Sequence, residues 1–387
     1  MNMGDQIRVQ INEVIKALGL PEVEFGVEHP AEESHGDYAT NVAMVLAKQM
    51  STNPHEAAEK IANKLKQSLP GFLAKIEVAG PGFVNFYLSE QFLSEGLGQV
   101  VQGKDKFGGS DNAREKKIVV EYTDPNPFKE FHIGHLYSNA VGEALCRLLE
   151  FSGATVRRVS YQGDVGMHVA KAIYGLLQIQ NSKLKMQNLE KRPLKERVKV
   201  MGEAYAQGAA AYEDDGAAKK EIEGLNKQIY DKDAQVYELY EQGKAWSLEY
   251  FETIYQRLGT KFDGYYFERE AGEVGLKLVK EGLKTGVFEE SDGAVIFAGE
   301  KYGLHTRVFI NKLGLPTYEA KDLGLAPTKY KDWPYDESII VTANEVNAYF
   351  DVVFEAMKQV EPELAKKHKH IGHGIVKLPE GKMSSRT

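Results

Sequence analysis

The chain has 387 residues, of which 42% are hydrophobic and 27% charged, and it carries a formal net charge of -8 at pH 7. This length allows a substantial core and two or three domains, the ordinary composition excludes global disorder, and the acidic balance argues against a nonspecific electrostatic grip on nucleic acid. The single cysteine, Cys146, excludes a disulfide framework and fits a reducing compartment. The sequence shows no signal-peptide pattern and no stretch of membrane-spanning length, so we expect a cytoplasmic protein with no membrane partner.

The N-terminal part of the chain, residues 1–112, predicts a small α+β domain. Two helical patterns and two strand-like runs lie in it, at residues 5–18, 54–68, 75–80 and 82–89. Between the two helical patterns, Ser34, Gly36 and Asp37 predict a turn and a cap before a further apolar helix. A polar, glycine-containing linker at residues 103–117 separates this domain from the rest of the chain.

The remaining residues, 113–387, predict an α/β domain with a doubly wound, Rossmann-like parallel sheet. A β-branched apolar run, a helical pattern and a second strand-like run follow one another at residues 117–122, 134–151 and 155–161. Strand, helix and strand within about 45 residues form a βαβ unit. A second such unit is predicted by a strand at 338–343, a helix at 345–360 and a strand near 373–378.

The stretch between these two units is charged, helical in pattern and poor in β-branched residues from about residue 181 to residue 290. It therefore predicts a helical subdomain inserted into the α/β domain. Sheet character returns at residues 293–297 and 305–310. No internal repeat is evident in the sequence.

A tetrapeptide of chemical interest, His-Ile-Gly-His at residues 132–135, follows the first predicted strand and opens the predicted helix. Backbone N–H groups and the positive end of the helix dipole favour a phosphate at such a turn. Gly134 would let a nucleotide approach the backbone, and His132 and His135 could donate hydrogen bonds to phosphate oxygens as charge builds during reaction. A paired-histidine metal site is the alternative, although no cysteine and no well-spaced carboxylate cluster supports it.

The same tetrapeptide, HIGH, occurs again at residues 370–373. This second copy follows a lysine-rich helix end and precedes GIVKLPEG, which has no helical pattern. Its histidines therefore lack the strand-to-helix turn that would point them at phosphates. We expect the first copy to be the nucleotide signature.

Acidic and amide side chains follow the first strand of the predicted sheet. Glu121, Asp124 and Asn126 lie at its carboxyl end, where open α/β sheets bind ligands. A guanidinium group has five donors and no acceptor, so a specific pocket for it needs several carboxylate or amide oxygens. Tyr318 and Asp322 lie four residues apart on a predicted helix, so Asp322 could pair with a guanidinium while Tyr318 packs against its plane. Taken alone, Tyr318 and Asp322 would be ordinary polar helix residues.

The order and approximate spacing of six segments resemble those of the arginyl-tRNA synthetases, a family of class I aminoacyl-tRNA synthetases. These segments are residues 121–135, 161–168, 262–270, 290–297, 315–324 and 378–387. The resemblance covers essentially the whole chain, and residues 1–112 resemble the family's added N-terminal domain, which implies contact with the tRNA elbow.

The resemblance implies two groups of binding residues. Those implied for arginine are Glu121, Asp124, Asn126, Tyr318 and Asp322. Those implied for ATP include His132, Gly134 and His135, with Gly163 and Asp164 near the nucleotide ribose or the amino-acid ammonium group. From the residues alone, Gly163 and Asp164 predict only a turn.

A lysine loop at the end of the printed sequence departs from the general class I pattern, KMSKS. Lys382, Met383 and Ser384 match it, but Ser385 occupies the place of its second lysine. A lost cation there would weaken stabilisation of the pyrophosphate leaving group. The family implies that a lysine upstream of HIGH substitutes, and Lys129 stands at that position. We therefore expect Lys129 and Lys382 to act with the two histidines, and Ser384 and Ser385 to contact ATP.

The function implied by this resemblance is activation of arginine by ATP, with Mg²⁺, followed by transfer of arginine to tRNA(Arg). Two alternatives stay open: a class I synthetase for another amino acid, or an inactive fragment that binds only tRNA or a partner protein. Members of the family continue past the lysine loop into a helical anticodon-binding domain, to which nothing here corresponds. We therefore expect a fragment, a split gene with a separate anticodon-binding polypeptide, or a trimmed chain.

Overall fold

Two units divide the polypeptide, Met1–Gly108 and Gly109–Thr387, and the computed structural model describes residues 3–181 and 189–376. The helices and strands of the first unit are α1 (Met3–Ala17), β1 (Val27–Glu28), β2 (Tyr38–Thr40), α2 (Val42–Met50), α3 (Pro54–Lys66), β3 (Leu73–Ala79), β4 (Phe83–Leu88) and α4 (Glu90–Gly103). The strands pair antiparallel in the order β1-β2-β4-β3. Buried apolar residues such as Ile11, Ile61 and Phe86 join the helices to the sheet.

The predicted cap before α2 is wrong in detail. The helix begins at Val42 after Asn41, and strand β2 lies between it and Asp37. The Asp37 carboxylate instead accepts a hydrogen bond from the Leu88 N–H (2.7 Å), and the Asp37 N–H donates to the Phe86 carbonyl (2.9 Å). Asp37 therefore hydrogen-bonds its turn to the C-terminal end of β4, a long-range contact that a local capping pattern does not show.

A five-stranded parallel sheet forms the centre of the second unit. Its strands are β5 (Lys117–Tyr122), β6 (Thr155–Gln162), β7 (Gly264–Phe267), β11 (Glu337–Ala343) and β12 (His368–His373). They are ordered β12-β11-β5-β6-β7, and every neighbouring pair is parallel. This is the α/β, Rossmann-like sheet that the sequence predicts, and its central strand β5 is buried from Ile118 to Tyr122.

Helices surround this sheet and form the insertion. They are α5 (Ile133–Phe151), α6 (Met167–Asn181), α7 (Leu194–Asp214), α8 (Gly216–Asp231), α9 (Ala234–Leu258), α10 (Glu268–Lys284), α11 (Tyr318–Asp332), α12 (Asn347–Val360) and α13 (Pro362–Ala365). Strands β8 (Glu289–Ser291), β9 (Ala294–Phe297) and β10 (Arg307–Ile310) form a separate antiparallel sheet. No helix among the described residues is long and apolar enough to cross a lipid bilayer.

Two predicted boundaries differ from the structure. The all-helical stretch expected to about residue 290 contains β7, which pairs with β6 of the main sheet. A strand of four residues between two long helices is too short to give a period-two signal. The strand expected near residues 373–378 instead covers His368–His373, because an edge strand with several exposed residues does not read as an apolar run; residues 377–378 lie outside the described part of the chain.

Small residues bring the insertion close to the catalytic domain. A Cβ atom on Gly175 of α6 would lie 2.0 Å from the Ala204 carbonyl oxygen of α7, and one on Gly208 would lie 1.9 Å from the Lys171 carbonyl oxygen. The two helices can therefore touch backbone to backbone only because neither position has a side chain. This contact, together with a buried apolar cluster shared by α6 to α9, fixes the insertion beside the sheet.

Candidate active site

The strand order reverses between β5 and β11, which is where a doubly wound sheet leaves a crevice at its carboxyl edge. A cleft of about 390 Å³ opens there. Its lining comes from the carboxyl ends of strands, the residues just after them, and the start of α5. Among the lining residues are Thr123, Asp124, His132, His135, Thr342 and His373. The first HIGH copy and the end of β5 therefore face the same space.

The two histidines of this turn close the N-terminus of α5. The His132 Nδ1 atom accepts a hydrogen bond from the Gly134 N–H (3.1 Å), and the His135 Nδ1 atom accepts one from the His132 N–H (3.2 Å). Their rings stack, with centroids 3.7 Å apart and planes inclined by 15°. A neutral imidazole that accepts at Nδ1 carries its proton at Nε2. Both Nε2–H groups are thus donors beside a helix N-terminus.

Both imidazoles are held in the neutral form. Burial, together with the nearby positive charge of Lys129, lowers the pKa of His132 below its usual range. Burial, with His132 and Lys129 adding to it, lowers the pKa of His135 to about 3. These groups can therefore donate hydrogen bonds to phosphate without first losing or gaining a proton at neutral pH.

The second HIGH copy lies in strand β12 and opens no helix, as the sequence indicates. The His370 ring stacks on Phe350 at 4.3 Å and its Nε2 atom is 2.7 Å from the Thr342 hydroxyl. A Cβ on Gly372 would lie 2.3 Å from the Asn347 side-chain oxygen, so this glycine serves packing. His373 nevertheless lines the cleft, edge-on to Tyr137. Sequence reasoning missed that contribution.

Asp124 and Asn126, which follow β5, hydrogen-bond to the backbone at the carboxyl end of β6. The Asp124 carboxylate accepts a hydrogen bond from the Tyr161 N–H (2.7 Å), and the Asn126 side-chain oxygen accepts one from the Gly163 N–H (3.0 Å). Burial above all, and then the negative charge of Glu121, raises the pKa of Asp124 well above its usual range. Asp124 is therefore a desolvated acid facing the cleft.

Tyr318 and Asp322 lie on α11, as predicted, in the first and second turns of the helix respectively. The Tyr349 hydroxyl donates to the Asp322 carboxylate (2.5 Å), while the Tyr318 side chain is 59% exposed. Burial above all raises the pKa of Asp322 to about 8, and the negative charges of Glu121 and Glu268 add to the effect. The charges of Asp322 and Glu121 also raise the pKa of Asp124, so these acids form one electrostatic group.

Two acids of this group, Glu121 and Glu268, differ from Asp124 and Asp322 because each is paired with a lysine. The Lys329 ammonium donates to the Glu121 carboxylate (2.6 Å) and to the Ser338 hydroxyl (3.1 Å), and both charged side chains are buried. A second pair joins Lys321 to Glu268 (2.6 Å). The two resident lysines neutralise two of the four carboxylates, and Asp124 and Asp322 have no salt bridge to a cation among the described residues.

Gly163 and Asp164 are not among the residues that line the cleft. The Asp164 side chain is buried and accepts hydrogen bonds from the Tyr240 hydroxyl (2.7 Å), the Lys244 ammonium (2.7 Å) and the Arg269 N–H (3.1 Å). A carboxylate with these three donors joins β6 to α9 and α10. A place for Gly163 and Asp164 near the nucleotide ribose or the amino-acid ammonium group stays a prediction.

Lys129 lies three residues before His132 in the chain, and its ammonium lies 5.4 Å from the centre of the Tyr205 ring of α7. The other residues predicted to contact ATP phosphates, Lys382, Ser384 and Ser385, lie outside the described part of the chain.

Several residues of the site were not singled out from the sequence as site residues. Lys329, Glu268, Tyr349 and Tyr161 all belong to the acidic group or its immediate partners. The Tyr161 hydroxyl is buried and has no hydrogen-bond partner among the described residues. An unpaired buried hydroxyl beside acids is a group that a polar ligand would satisfy.

We predict that the Lys329–Glu121 pair contributes to the free energy of unfolding, which can be measured without an activity assay. Lys329→Met should lower the free energy of unfolding by about 3 kcal/mol, because it leaves a buried carboxylate without its cation. Adding Glu121→Gln should restore more than half of that loss. Urea unfolding of the two variants and of the wild type measures both effects, and an unchanged midpoint for Lys329→Met would show that the pair is not buried as described.

Two family models match this chain. Residues 97–387 match the family model described as tRNA synthetases class I (R), catalytic domain, and residues 5–88 match the arginyl tRNA synthetase N terminal domain. The arginine–tRNA ligase of Treponema denticola is 30% identical over 383 residues, covering 95% of this chain and 62% of the relative. That of Clostridium perfringens is 31% identical over 372 residues, covering 95% of this chain and 63% of the relative.

Solved structures share the same fold. The arginyl-tRNA synthetase of Plasmodium falciparum aligns with a TM-score of 0.71 at 19% identity, covering 96% of this chain and 65% of that chain. The Thermus thermophilus enzyme aligns with a TM-score of 0.68 at 21% identity, covering 99% and 67% respectively. The parallel sheet with the HIGH turn at its switch point is thus the catalytic fold of a class I tRNA synthetase.

Within that class, the chain belongs to the arginyl-tRNA synthetase family. It spans about 62% of the length of the Treponema denticola relative and 63% of the Clostridium perfringens relative.

Proposed function

We propose that this chain activates arginine with ATP to form arginyl-adenylate and transfers the arginine to tRNA(Arg). One observation carries the proposal: Asp124 lines the same cleft as His132 and His135, and its pKa is raised by burial, by the charge of Glu121 and also by the charge of Asp322. A receptor for a cationic side chain therefore adjoins a receptor for phosphate. An amino acid that bridges the two would place its carboxylate near the α-phosphorus of ATP.

The acidic group suits a guanidinium better than other side chains. Asp124 and Asp322 supply carboxylate oxygens, while Asn126, Glu121 and Tyr318 complete the set proposed for arginine. A planar cation with five donors gains most from several fixed acceptors, whereas an ammonium uses fewer of them. Because Lys329 and Lys321 already neutralise two acids, the pocket retains two carboxylates for one ligand cation.

The nucleotide half of the site uses donors and cations. The His132 and His135 Nε2–H groups would meet phosphate oxygens, Gly134 would let the nucleotide approach the backbone, and Lys129 would stabilise the pyrophosphate leaving group. Lys382, Ser384 and Ser385 are proposed to close over the phosphates. Among the described residues no group of three acidic, histidine or cysteine side chains could hold a metal ion, so Mg²⁺ would enter as part of the ATP substrate.

The reaction needs no protein nucleophile. A carboxylate oxygen of arginine attacks the α-phosphorus, the bond to the β-phosphate oxygen breaks, and pyrophosphate leaves with the electron pair. A hydroxyl of the terminal tRNA ribose then attacks the mixed anhydride and AMP leaves with the electron pair. The histidines and lysines would accelerate the first step by positioning and by stabilising charge.

We further propose that the N-terminal unit contacts the tRNA elbow. A cavity of about 610 Å³ in that unit is lined by Phe83, Asn85 and His29. The Phe83 side chain is 39% exposed, and an exposed aromatic ring beside amide and imidazole groups suits an unstacked base. A separate anticodon-binding polypeptide would be a further partner, which copurification from the source cell would reveal.

Exchange of labelled pyrophosphate into ATP tests the proposed function. We expect exchange that depends on both arginine and tRNA(Arg), because the family activates arginine on an enzyme completed by tRNA. Exchange with another amino acid in place of arginine would reject the arginine assignment. Binding of tRNA without exchange, for all amino acids tried, would instead support a tRNA-binding fragment.

A further inference from the structure

The loop that leads from β5 to the nucleotide turn has an unusual backbone. Three of its residues that are not glycine have positive φ angles: Thr123 at 78°, Asp124 at 45° and Phe128 at 65°. Such angles disfavour side chains, most of all a bulky one such as phenylalanine, and they persist only where the surroundings hold them. What holds Phe128 is therefore part of how this loop is positioned.

Three residues of helix α9 in the insertion contact Phe128. The ring is buried and fills the space over Gly243, where a Cβ atom would lie 2.2 Å from the ring atom Cε1. It lies near parallel to the Tyr240 ring, with centroids 6.4 Å apart. The Phe128 N–H donates to the Ser247 hydroxyl (2.9 Å), which itself donates to the Gly243 carbonyl (2.8 Å).

The insertion also touches the next two residues of the loop. The Lys129 ammonium lies 5.4 Å from the centre of the Tyr205 ring, a cation–π contact from α7. A Cβ atom on Gly202, also on α7, would lie 3.3 Å from the Glu130 carboxylate. Two helices of the insertion therefore contact three consecutive residues, 128–130, with one residue between them and the HIGH turn.

Helix α9 is itself fixed to the sheet. The Tyr240 hydroxyl and the Lys244 ammonium, one on each side of Gly243 along the helix, both donate to Asp164 at 2.7 Å. Asp164 follows β6 directly and is 1% exposed. The helix that contacts Phe128 is thus hydrogen-bonded to the same sheet whose carboxyl edge forms the cleft.

We propose that Phe128 is a positioning residue through which the helical insertion places the Lys129 ammonium on the phosphates of bound ATP. The idea rests on the proposed function, because Lys129 is assigned there to the phosphates. Phe128 itself touches no substrate. Because the Phe128 ring is packed against α9, the position of α9 determines the position of Lys129, the next residue in the chain.

A purely structural role for Phe128 makes a different prediction. If the ring only fills the core, then disturbing it should weaken binding of all ligands together or destabilise the fold without preference. If it positions Lys129, the loss should fall on ligands with a triphosphate. ATP and adenosine share base and ribose, so the ratio of their affinities isolates the phosphate contribution.

Gly243→Ala is the variant that disturbs the ring from outside the cleft. We expect it to lower the affinity for ATP about tenfold, while the affinities for adenosine and arginine stay within about twofold of the wild type. Isothermal titration of the full chain with each ligand measures this. Gly224→Ala, on α8 of the same insertion with open space around its added Cβ, is the matched control and should change none of the three affinities.

A double variant decides whether the loss passes through Lys129. Lys129→Met should lower ATP affinity without changing that for adenosine, and adding Gly243→Ala to it should cause no further loss. If Gly243→Ala fails to fold, Ser247→Ala removes the hydrogen bond to the Phe128 N–H, together with the Ser247 bond to the Gly243 carbonyl, and leaves the ring contact in place. It should shift the same ratio in the same direction by a smaller factor.

Two outcomes would overturn the inference: an unchanged ATP-to-adenosine ratio in a folded Gly243→Ala chain, or full additivity of its effect with Lys129→Met. Both leave the proposed function intact, provided that the wild type binds ATP and arginine. A wild type that binds neither ligand, with or without tRNA, would instead reject the proposed function and the inference with it.

Discussion

Asp322→Asn should weaken arginine binding about a hundredfold or more while leaving ATP binding within about twofold. The substitution keeps the size of the side chain and can still accept from the Tyr349 hydroxyl, so the fold should survive. It removes one of the two carboxylates that have no resident cation. A guanidinium placed between Asp124 and an amide then loses a charge-assisted pair in a desolvated pocket.

The measurement is calorimetric titration of the full chain with arginine and, separately, with ATP. Asp332→Asn provides a matched control, because Asp332 ends the same helix but pairs with Arg157 of β6 and does not line the cleft. That control should bind arginine as the wild type does. Equal loss of arginine and ATP affinity in Asp322→Asn would point to a collapsed site and contradict the assigned role.

The pH dependence of arginine binding follows from the same residue. Since the pKa of Asp322 is raised to about 8, its carboxyl group is mostly protonated below that pH and must lose a proton to pair with a guanidinium. Arginine affinity should therefore rise with pH between about 6.5 and 8, by at most tenfold per pH unit for one group, and level off above it. Asp322→Asn should reduce that rise, and titration in buffers of different ionisation enthalpy should detect less proton release than in the wild type, because only Asp124, whose pKa is also raised, is then left to lose a proton.

Local patterns were sufficient for part of this site. The strand at 117–122, the helix opened by His132 and the helix that carries Asp322 all follow from short-range periodicity, and the structure has each of them. Periodicity reports which face of an element is buried, so it finds elements and the residues at their ends. It also separated the two HIGH copies, because only one of them opens a helix.

The partners of the acids could not be read in the same way. Lys329 lies 208 residues from Glu121 along the chain, and its place in the sequence is that of any polar helix residue. The partners of Asp164 were likewise not predicted, because its three donors come from α9 and α10. Pairing of buried charges depends on how distant elements pack, a property that no local window contains.

His135→Asn should lower the rate of adenylate formation about a hundredfold or more, with little change in stability. The oxygen of asparagine occupies the place of Nδ1, so it can still accept from the His132 N–H and close the N-terminus of α5. What it removes is the Nε2–H donor proposed to meet a phosphate oxygen. Because the pKa of His135 is about 3, no titration of this residue should appear in the rate between about pH 6 and 9.

His135→Gln is the complementary variant. Its amide nitrogen reaches the place of Nε2 and can still donate, whereas the acceptor at the position of Nδ1 is gone. We expect it to retain more of the rate than His135→Asn but to lose about 1 kcal/mol of stability, the usual worth of a helix cap. His370→Asn in the second HIGH copy should leave adenylate formation near the wild-type rate, since His370 contacts Thr342 and Phe350 in a strand. Single-turnover assays with arginine, ATP and tRNA measure all three, and a His135→Asn variant as fast as His370→Asn would mean that the HIGH turn caps a helix and does not act on phosphate.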